Sequence, residues 1–315
     1  MTFFSVLALV AGFAMLVWGA DQFVDAASQF ALRLGIPAVV VGLTVVALGT
    51  SAPEAAISIT SSLHAADELT IANVLGSNIM NTLVILGLTA LFVEVPVSQR
   101  ALRREIPFVV AITVLFLVLC MSDGMMGRGD AIIFLVLLTA YLVYLVRTSR
   151  NPEMVEDTGG EEVEISDTSM PVLIAKGVLG AVLIAWGADL AVDGASEIAL
   201  ALGMSERLIG LTIVAFGTSL PELVTSVTAA TKGQSDIAVG NIVGSSILNL
   251  LFVLGISSAI SPIPFALDLV PDAVVAILAT VMLWALTVRS HTLNRVGGLA
   301  MLAAYGVYLA HLIIA

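Results

Sequence analysis

Two glutamates carry the chemistry of this sequence. Glu54 and Glu222 each close the pattern Gly-Thr-Ser-x-Pro-Glu, at residues 49–54 and 217–222. Both lie inside long apolar runs. An ionised carboxylate at a membrane midplane costs roughly 2.5–3.5 kcal/mol on the insertion scale, so it must be paired, protonated or matched by a bound cation. No Lys or Arg stands in the middle of any apolar run; Lys176 comes nearest and sits near a run's end. The partners that remain are a proton or a cation.

The neighbouring residues have the chemistry of a cage for a hard cation. Thr50 and Glu54 are one helical turn apart, with Ser51 adjacent, and Thr218, Ser219 and Glu222 repeat the set. Pro53 and Pro221 lack an N–H and clash with the carbonyl one turn back, so they break or kink the helix, and Gly49 and Gly217 loosen it further. Freed carbonyls are tolerated at membrane depth where they line a cavity. The donors are hydroxyl, carboxylate and carbonyl oxygens without His or Cys, which matches Na⁺ or Ca²⁺ rather than zinc or copper. Two further runs add Asn73, Ser77, Asn78 and Asn81, matched by Asn241, Ser245, Ser246 and Asn249. Ser77, Asn81, Ser245 and Asn249 read as site groups, and Asn73 and Asn241 as helix-packing groups. Asp21, Asp25, Asp189 and Asp193 read as structural. His64, His291 and His311 have no metal-ligand spacing and read as solvated or packing groups. Cys120, the single cysteine, reads as inert packing.

The elements that must position these residues follow from composition. The chain has 315 residues, 59% hydrophobic and 11% charged, against about 25% charged in an ordinary soluble domain. That excludes a soluble globular protein, a nucleic-acid binder and a disordered chain. It leaves an all-α polytopic membrane protein embedded in a lipid bilayer, with no obligate protein partner evident. A membrane helix takes about 20 apolar residues. Ten runs qualify, at 3–30, 37–62, 70–92, 107–122, 129–148, 171–198, 206–229, 237–259, 271–288 and 296–314. The first has no basic leader and is too long for a signal peptide.

An internal repeat organises the ten. Residues 42–54 read GLTVVALGTSAPE and residues 210–222 read GLTIVAFGTSLPE, identical at ten of thirteen positions. The same register, an offset of 168, aligns Trp18-Gly19-Ala20-Asp21 with Trp186-Gly187-Ala188-Asp189, Asp25 with Asp193, Asn81 with Asn249 and Pro96 with Pro264. Each copy holds five spans. An odd number forces the second copy to enter from the opposite side, giving two inverted-topology five-helix repeats of the kind found in secondary transporters. The expected organisation is a first repeat over 1–148, an acidic linker over 149–170 and a second repeat over 171–315.

Charge sets orientation. The net charge is −12, and seven acids without a base fall between Asn151 and Ser169. Arg33, Arg100, Arg103, Arg104, Arg147, Arg150, Lys176, Lys232, Arg289 and Arg295 fall on one side of the ten spans; Arg128 and Arg207 fall on the other. Ten against two places the first side in the cytoplasm, with both termini outside and the acidic linker cytoplasmic.

The motifs GTSAPE (49–54) with GSNIMN (76–81), and GTSLPE (217–222) with GSSILN (244–249), resemble the alpha repeats of the sodium/calcium exchanger family, prokaryotic type, in the cation/calcium antiporter superfamily. The resemblance covers essentially the whole chain. It implies alternating-access antiport of Na⁺ for Ca²⁺, the transported ions, with no cofactor. It implies Glu54 and Glu222 as central ligands, with Thr50, Ser51, Thr218, Ser219, Ser77 and Ser245 as further oxygens. Backbone carbonyls of Ala47 and Ala215 join them, and Asn81 and Asn249 complete the middle of the site. The first and sixth helices would be the sliding pair. Asn249 stands where the potassium-dependent branch carries Asp, which implies independence of K⁺. GTSxPE, in place of the GNxxE-like pattern of proton-coupled relatives, favours Na⁺ coupling; a Ca²⁺/H⁺ or other divalent cation/H⁺ exchanger of the same fold is the alternative. An open cation channel fits an occluded two-glutamate site poorly. An intramembrane hydrolase using Ser51 or Ser219 lacks a nearby base, so no enzymatic activity is expected. The expected location is a prokaryotic inner or plasma membrane.

Overall fold

The computed structural model describes residues 3–63, 68–148, 168–204 and 215–314. The acidic stretch 149–167, His64 and Arg207 lie outside them. The described chain is almost entirely helical. Among the described residues, seven helices are long and apolar enough to cross a membrane. They are α1 (Phe3–Leu34), α4 (Thr70–Phe92), α5 (Ala101–Asp123), α6 (Arg128–Thr148), α7 (Met170–Ala201), α10 (Ser235–Ile260) and α11 (Leu267–Thr287). Shorter pieces fill the remaining expected spans. The second is broken into α2 (Ala38–Thr50) and α3 (Ala52–Leu63). The seventh is described from Ala215 onward, as α8 (Ala215–Gly217) and α9 (Leu220–Thr231). The tenth is α12 (Arg295–Ile314).

The breaks fall where the prolines require them. Ser51 leaves the helical region at φ −86°, ψ 6°, and Ser219 does the same at φ −95°, ψ 4°. Pro53 and Pro221 then occupy the first turn of the following helix, where a missing N–H costs nothing. Glu54 and Glu222 follow in those same first turns.

Helices α1 and α7 are each 32 residues long and run antiparallel along their length. A Cβ on Gly12 would meet the backbone of Gly187 and Ala191 at 2.5–2.9 Å. Gly19 faces Gly180, and Gly194 faces Ser5, in the same way. Glycines at seven-residue spacing let the two backbones touch, the usual means of close packing where lipid supplies no hydrophobic drive. Both helices turn large side chains outward: Trp18 and Trp186 are exposed.

The core is α4 and α10, the most buried of the long helices. Each carries a π-helical turn, Asn81–Ile85 in α4 and Asn249–Leu254 in α10. Two short antiparallel strand pairs clip the loops together. β1 (Val95–Pro96) pairs with β4 (Thr292–Leu293), and β2 (Met125–Met126) pairs with β3 (Ile263–Pro264). Cys120 is fully buried and free.

Candidate cation site

Three of the helix pieces that carry the two motifs, α2, α3 and α9, pack against α4 and α10 in the interior, and α8 lies against α7. Glu54 is 2% exposed and Glu222 is fully buried. The Ser51 hydroxyl joins the two halves: Oγ lies 2.7 Å from Glu222 Oε1 and 2.8 Å from Ser245 Oγ. Ser51 belongs to the first motif, Glu222 to the second, and Ser245 to the helix paired with the second.

Thr50 donates to Asn241 Oδ1 at 3.0 Å, and Asn241 Nδ2 donates to Ser226 Oγ at 3.0 Å. Asn73 Nδ2 donates to Ser58 Oγ at 3.1 Å. Positions 73 and 58 correspond to 241 and 226 at the repeat offset, so the same brace stands behind each motif. The carbonyl of Ala47 accepts the N–H of Ser51 at 2.9 Å and faces the Thr50 hydroxyl at 3.4 Å. Ala215 opens α8. Thr218 and Ser219 form the turn between α8 and α9, with Ser219 buried.

From the core helices, Ser77, Ser245, Asn81 and Asn249 are all buried. The two asparagines open the π-helical turns, which concentrate at functional sites because the widened turn re-aims a side chain. Asn249 Nδ2 donates to Asn78 Oδ1 at 3.2 Å, and Asn78 Nδ2 donates to the carbonyl of Ser246 at 3.3 Å. These bonds tie α4 to α10.

The buried oxygens are not all used up by these bonds. Neither carboxylate oxygen of Glu54 has a hydrogen-bond partner, and the same holds for Glu222 Oε2, Ser219 Oγ, Thr225 Oγ1, Asn249 Oδ1 and both polar atoms of Asn81. The large majority of buried polar side chains in native proteins are paired. A cluster of hard oxygen donors around two carboxylates, in the interior and without nitrogen bases, has the chemistry of a site for Ca²⁺ or Na⁺. The first-turn position of both glutamates adds the positive end of a helix dipole.

Two buried groups escape sequence reasoning. Thr225, one turn from Glu222 and fully buried, is one of several hydroxyl residues in its stretch, with Ser226 and Thr228, and nothing but helical spacing singles it out. Glu105 is a buried carboxylate that receives Arg100 Nε at 3.0 Å and the Tyr141 hydroxyl at 2.9 Å. Asp21 and Asp25 have a partner on another helix: Lys232 Nζ lies 2.5 Å from Asp21 and 2.7 Å from Asp25.

The chain matches the family model described as sodium/calcium exchanger protein over residues 4–147 and 173–314. It is 34% identical over 313 residues to inner membrane protein YrbG of Escherichia coli, covering 96% of this chain and 95% of that protein. It is 31% identical over 294 residues to the sodium/calcium exchanger MaX1 of Methanosarcina acetivorans, covering 82% and 84%. Its fold superposes on the sodium-calcium exchanger NCX_Mj soaked with zero Na⁺ and Ca²⁺ with a TM-score of 0.86 and 29% identity, covering 99% of this chain and all of that one. With both copies of the motif inside the matched segments, the chain belongs to the sodium/calcium exchanger protein family.

Proposed function

We propose that this integral membrane protein is a secondary-active antiporter exchanging Na⁺ for Ca²⁺ by alternating access. The observation that carries the reading is the meeting of two motifs from opposite halves of the chain around one buried, oxygen-only site, joined by the Ser51–Glu222 hydrogen bond. The family is one of transporters rather than enzymes. A proton-coupled divalent cation exchanger is not favoured by relatives named sodium/calcium exchangers.

Ten spans in two inverted five-helix repeats, 1–148 and 171–315 around the linker 149–170, account for the architecture. The antiparallel α1–α7 pair supports this, as does the reciprocal pairing of β1 with β4 and β2 with β3. In each strand pair one partner comes from either half. Glu54 and Glu222 serve as the central ligands, with Thr50, Ser51, Thr218, Ser219, Ser77, Ser245, Asn81 and Asn249 and the carbonyls of Ala47 and Ala215 around them. The unpartnered carboxylate oxygens of Glu54 support its central place. The positive-inside distribution supports an orientation with both termini outside, and the relative named inner membrane protein YrbG supports an inner or plasma membrane location.

The coupling follows from electrostatics. Two carboxylates in a dry interior repel each other and have lost their hydration. One Ca²⁺ neutralises both, and several Na⁺ do so in its place. A site with neither stays open to water, because closing over bare charges is costly. Ser51, donating to Glu222, holds one carboxylate oriented while cargo exchanges.

Proteoliposomes loaded with Na⁺ test the proposal. Ca²⁺ uptake that requires internal Na⁺, and is lost in Glu54→Gln, is the expected result. Uptake driven by a pH gradient without Na⁺ would overturn the coupling ion.

A further inference from the structure

Helices α5 and α11 contribute nothing to the cation site, yet where the start of α5 meets the end of α11 they frame a cleft of about 360 Å³. Leu102, Pro107, Trp284 and Val288 form its apolar walls, and Gln99, Arg103 and His291 its polar rim. The lining is amphipathic, with Trp284 39% exposed and Arg103 exposed. Trp284 is itself held, its indole N–H donating to the carbonyl of Leu102 at 3.0 Å.

His291 is the telling residue. Its φ is +55°, and it is the one non-glycine with positive φ among the described residues. Its N–H bonds the carbonyl of Thr287, and its carbonyl receives Val97 N–H as the β1–β4 clip begins. At the opposite end of the fold Gly124 performs the same task at φ +76°, bonding Cys120 and receiving Phe265 as the β2–β3 clip begins. The backbone needs a left-handed residue at both places. Glycine meets that need without steric cost, whereas a side chain there is strained and such strain collects at functional positions. The histidine ring sits 3.4 Å from the Gln99 amide nitrogen, on the rim of the cleft.

The internal repeat supplies a comparison within one molecule. Past the first strand of each half the register shortens to 167, as the matched Tyr141–Glu105 and Tyr308–Asp272 bonds and the matched clips show; Arg103 then corresponds to Val270, His291 to Gly124, and Gln99 to the Ala266–Leu267 pair. All three polar rim groups are therefore replaced by residues without a side-chain donor at the other end. The end that carries them is the one that gathers Arg100, Arg104, Arg289 and Arg295. Of its carboxylates, Glu105 is already neutralised by Arg100 at 3.0 Å, and Glu94, just before β1, is exposed.

We propose that this cleft binds the phosphate of an anionic phospholipid in the leaflet on the basic side. Arg103, the Gln99 amide and a ring N–H of His291 donate to the phosphate oxygens, while Trp284, Pro107, Leu102 and Val288 cover the glycerol and first acyl carbons. Basic pockets between membrane helices on the cytoplasmic side have this preference, and a Trp at the headgroup level marks the interface. The apolar walls fit a lipid rather than a free phosphate ion.

Native mass spectrometry of the full purified chain in detergent, titrated with phosphatidylglycerol or phosphatidylcholine, tests this. The expected result is preferential retention of phosphatidylglycerol, weakened about fivefold by Arg103→Gln and by His291→Gly, with phosphatidylcholine unaffected. His291→Gly relieves the left-handed strain, so its thermal midpoint stays at or above that of the parent and loss of lipid is not loss of fold. Unchanged phosphatidylglycerol retention in both variants overturns the site. Displacement of the lipid by equimolar glycerol phosphate overturns the lipid assignment in favour of a free-phosphate site.

Discussion

Ser51 and Glu222 stand 171 positions apart in the chain and 2.7 Å apart in space, the hydroxyl donating to the carboxylate. This bond crosses between the two halves of the protein inside the candidate site. A change on either half is therefore transmitted to the candidate ligands of the other, as a single shared cation cage would require.

Removing either central charge should abolish exchange. Glu54→Gln and Glu222→Gln keep the shape and delete one of the two negative charges that match a divalent cation. Leaving a buried charge without its counterpart costs about 3 kcal/mol or more, or about 100-fold in ion affinity. Ca²⁺ uptake in proteoliposomes should fall by at least that factor while the thermal midpoint in detergent stays close to the parent's. Full ion-dependent flux in both variants would remove the two glutamates from the site.

Ser51→Ala should be milder and specific. It removes the donor to Glu222 and the contact with Ser245. A hydrogen bond to a charged group contributes about 1.5–3 kcal/mol, so Ca²⁺ affinity measured by isothermal titration should drop about 10- to 100-fold. Ser51→Thr, which restores the hydroxyl, should recover part of it. Equal loss in both variants would point to packing instead.

The long antiparallel pair should tolerate no added side chain. A Cβ on Gly12 would lie 2.5 Å from the backbone nitrogen of Ala191, and one on Gly187 would lie 2.8 Å from that of Leu16. Gly12→Val and Gly187→Val force the helices apart, at a cost of about 1–3 kcal/mol. Exchange and thermal stability should both fall. Gly306→Ala, where a Cβ meets open space, serves as the silent control.

Lys232 links the end of α9 to the middle of α1 through Asp21 and Asp25. Burial by itself lowers the lysine ammonium, but its hydrogen bonds to Asp21 and Asp25 outweigh that and hold the group above its ordinary value. A raised lysine value means that the contribution is fully present below the ordinary lysine range. It is lost only as pH rises through the higher folded value. The contact should therefore persist unchanged across neutral pH. Lys232→Met removes this tie while leaving α1 packed on α9, and because partly exposed ion pairs contribute about 1 kcal/mol or less, exchange rates should shift by no more than about fivefold. A larger, pH-dependent change near neutrality would contradict this pairing.

Much of the molecule is legible in the amino-acid order alone. Hydropathy locates the helices because a bilayer permits backbone polar groups no partner but the helix itself. Pro53 and Pro221 announce the breaks at Ser51 and Ser219, since proline acts on its own backbone within one turn. The repeated GTSxPE pattern announces Glu54 and Glu222, because an unpaired acid in an apolar run has few physical justifications.

Partnerships between distant residues are decided only in three dimensions. Nothing local to Ser51 names Glu222 as its acceptor; helix packing brings them together. Lys232 finds Asp21 and Asp25 only because α1 passes the end of α9. The histidine at 291 has no metal-ligand spacing and reads as a solvated or packing group, and its left-handed backbone emerges only when the β1–β4 clip forms. Local chemistry is written along the chain because it acts within a turn or a run. Contacts between segments depend on crossing geometry, which the packing of glycine-lined helices sets for the molecule as a whole.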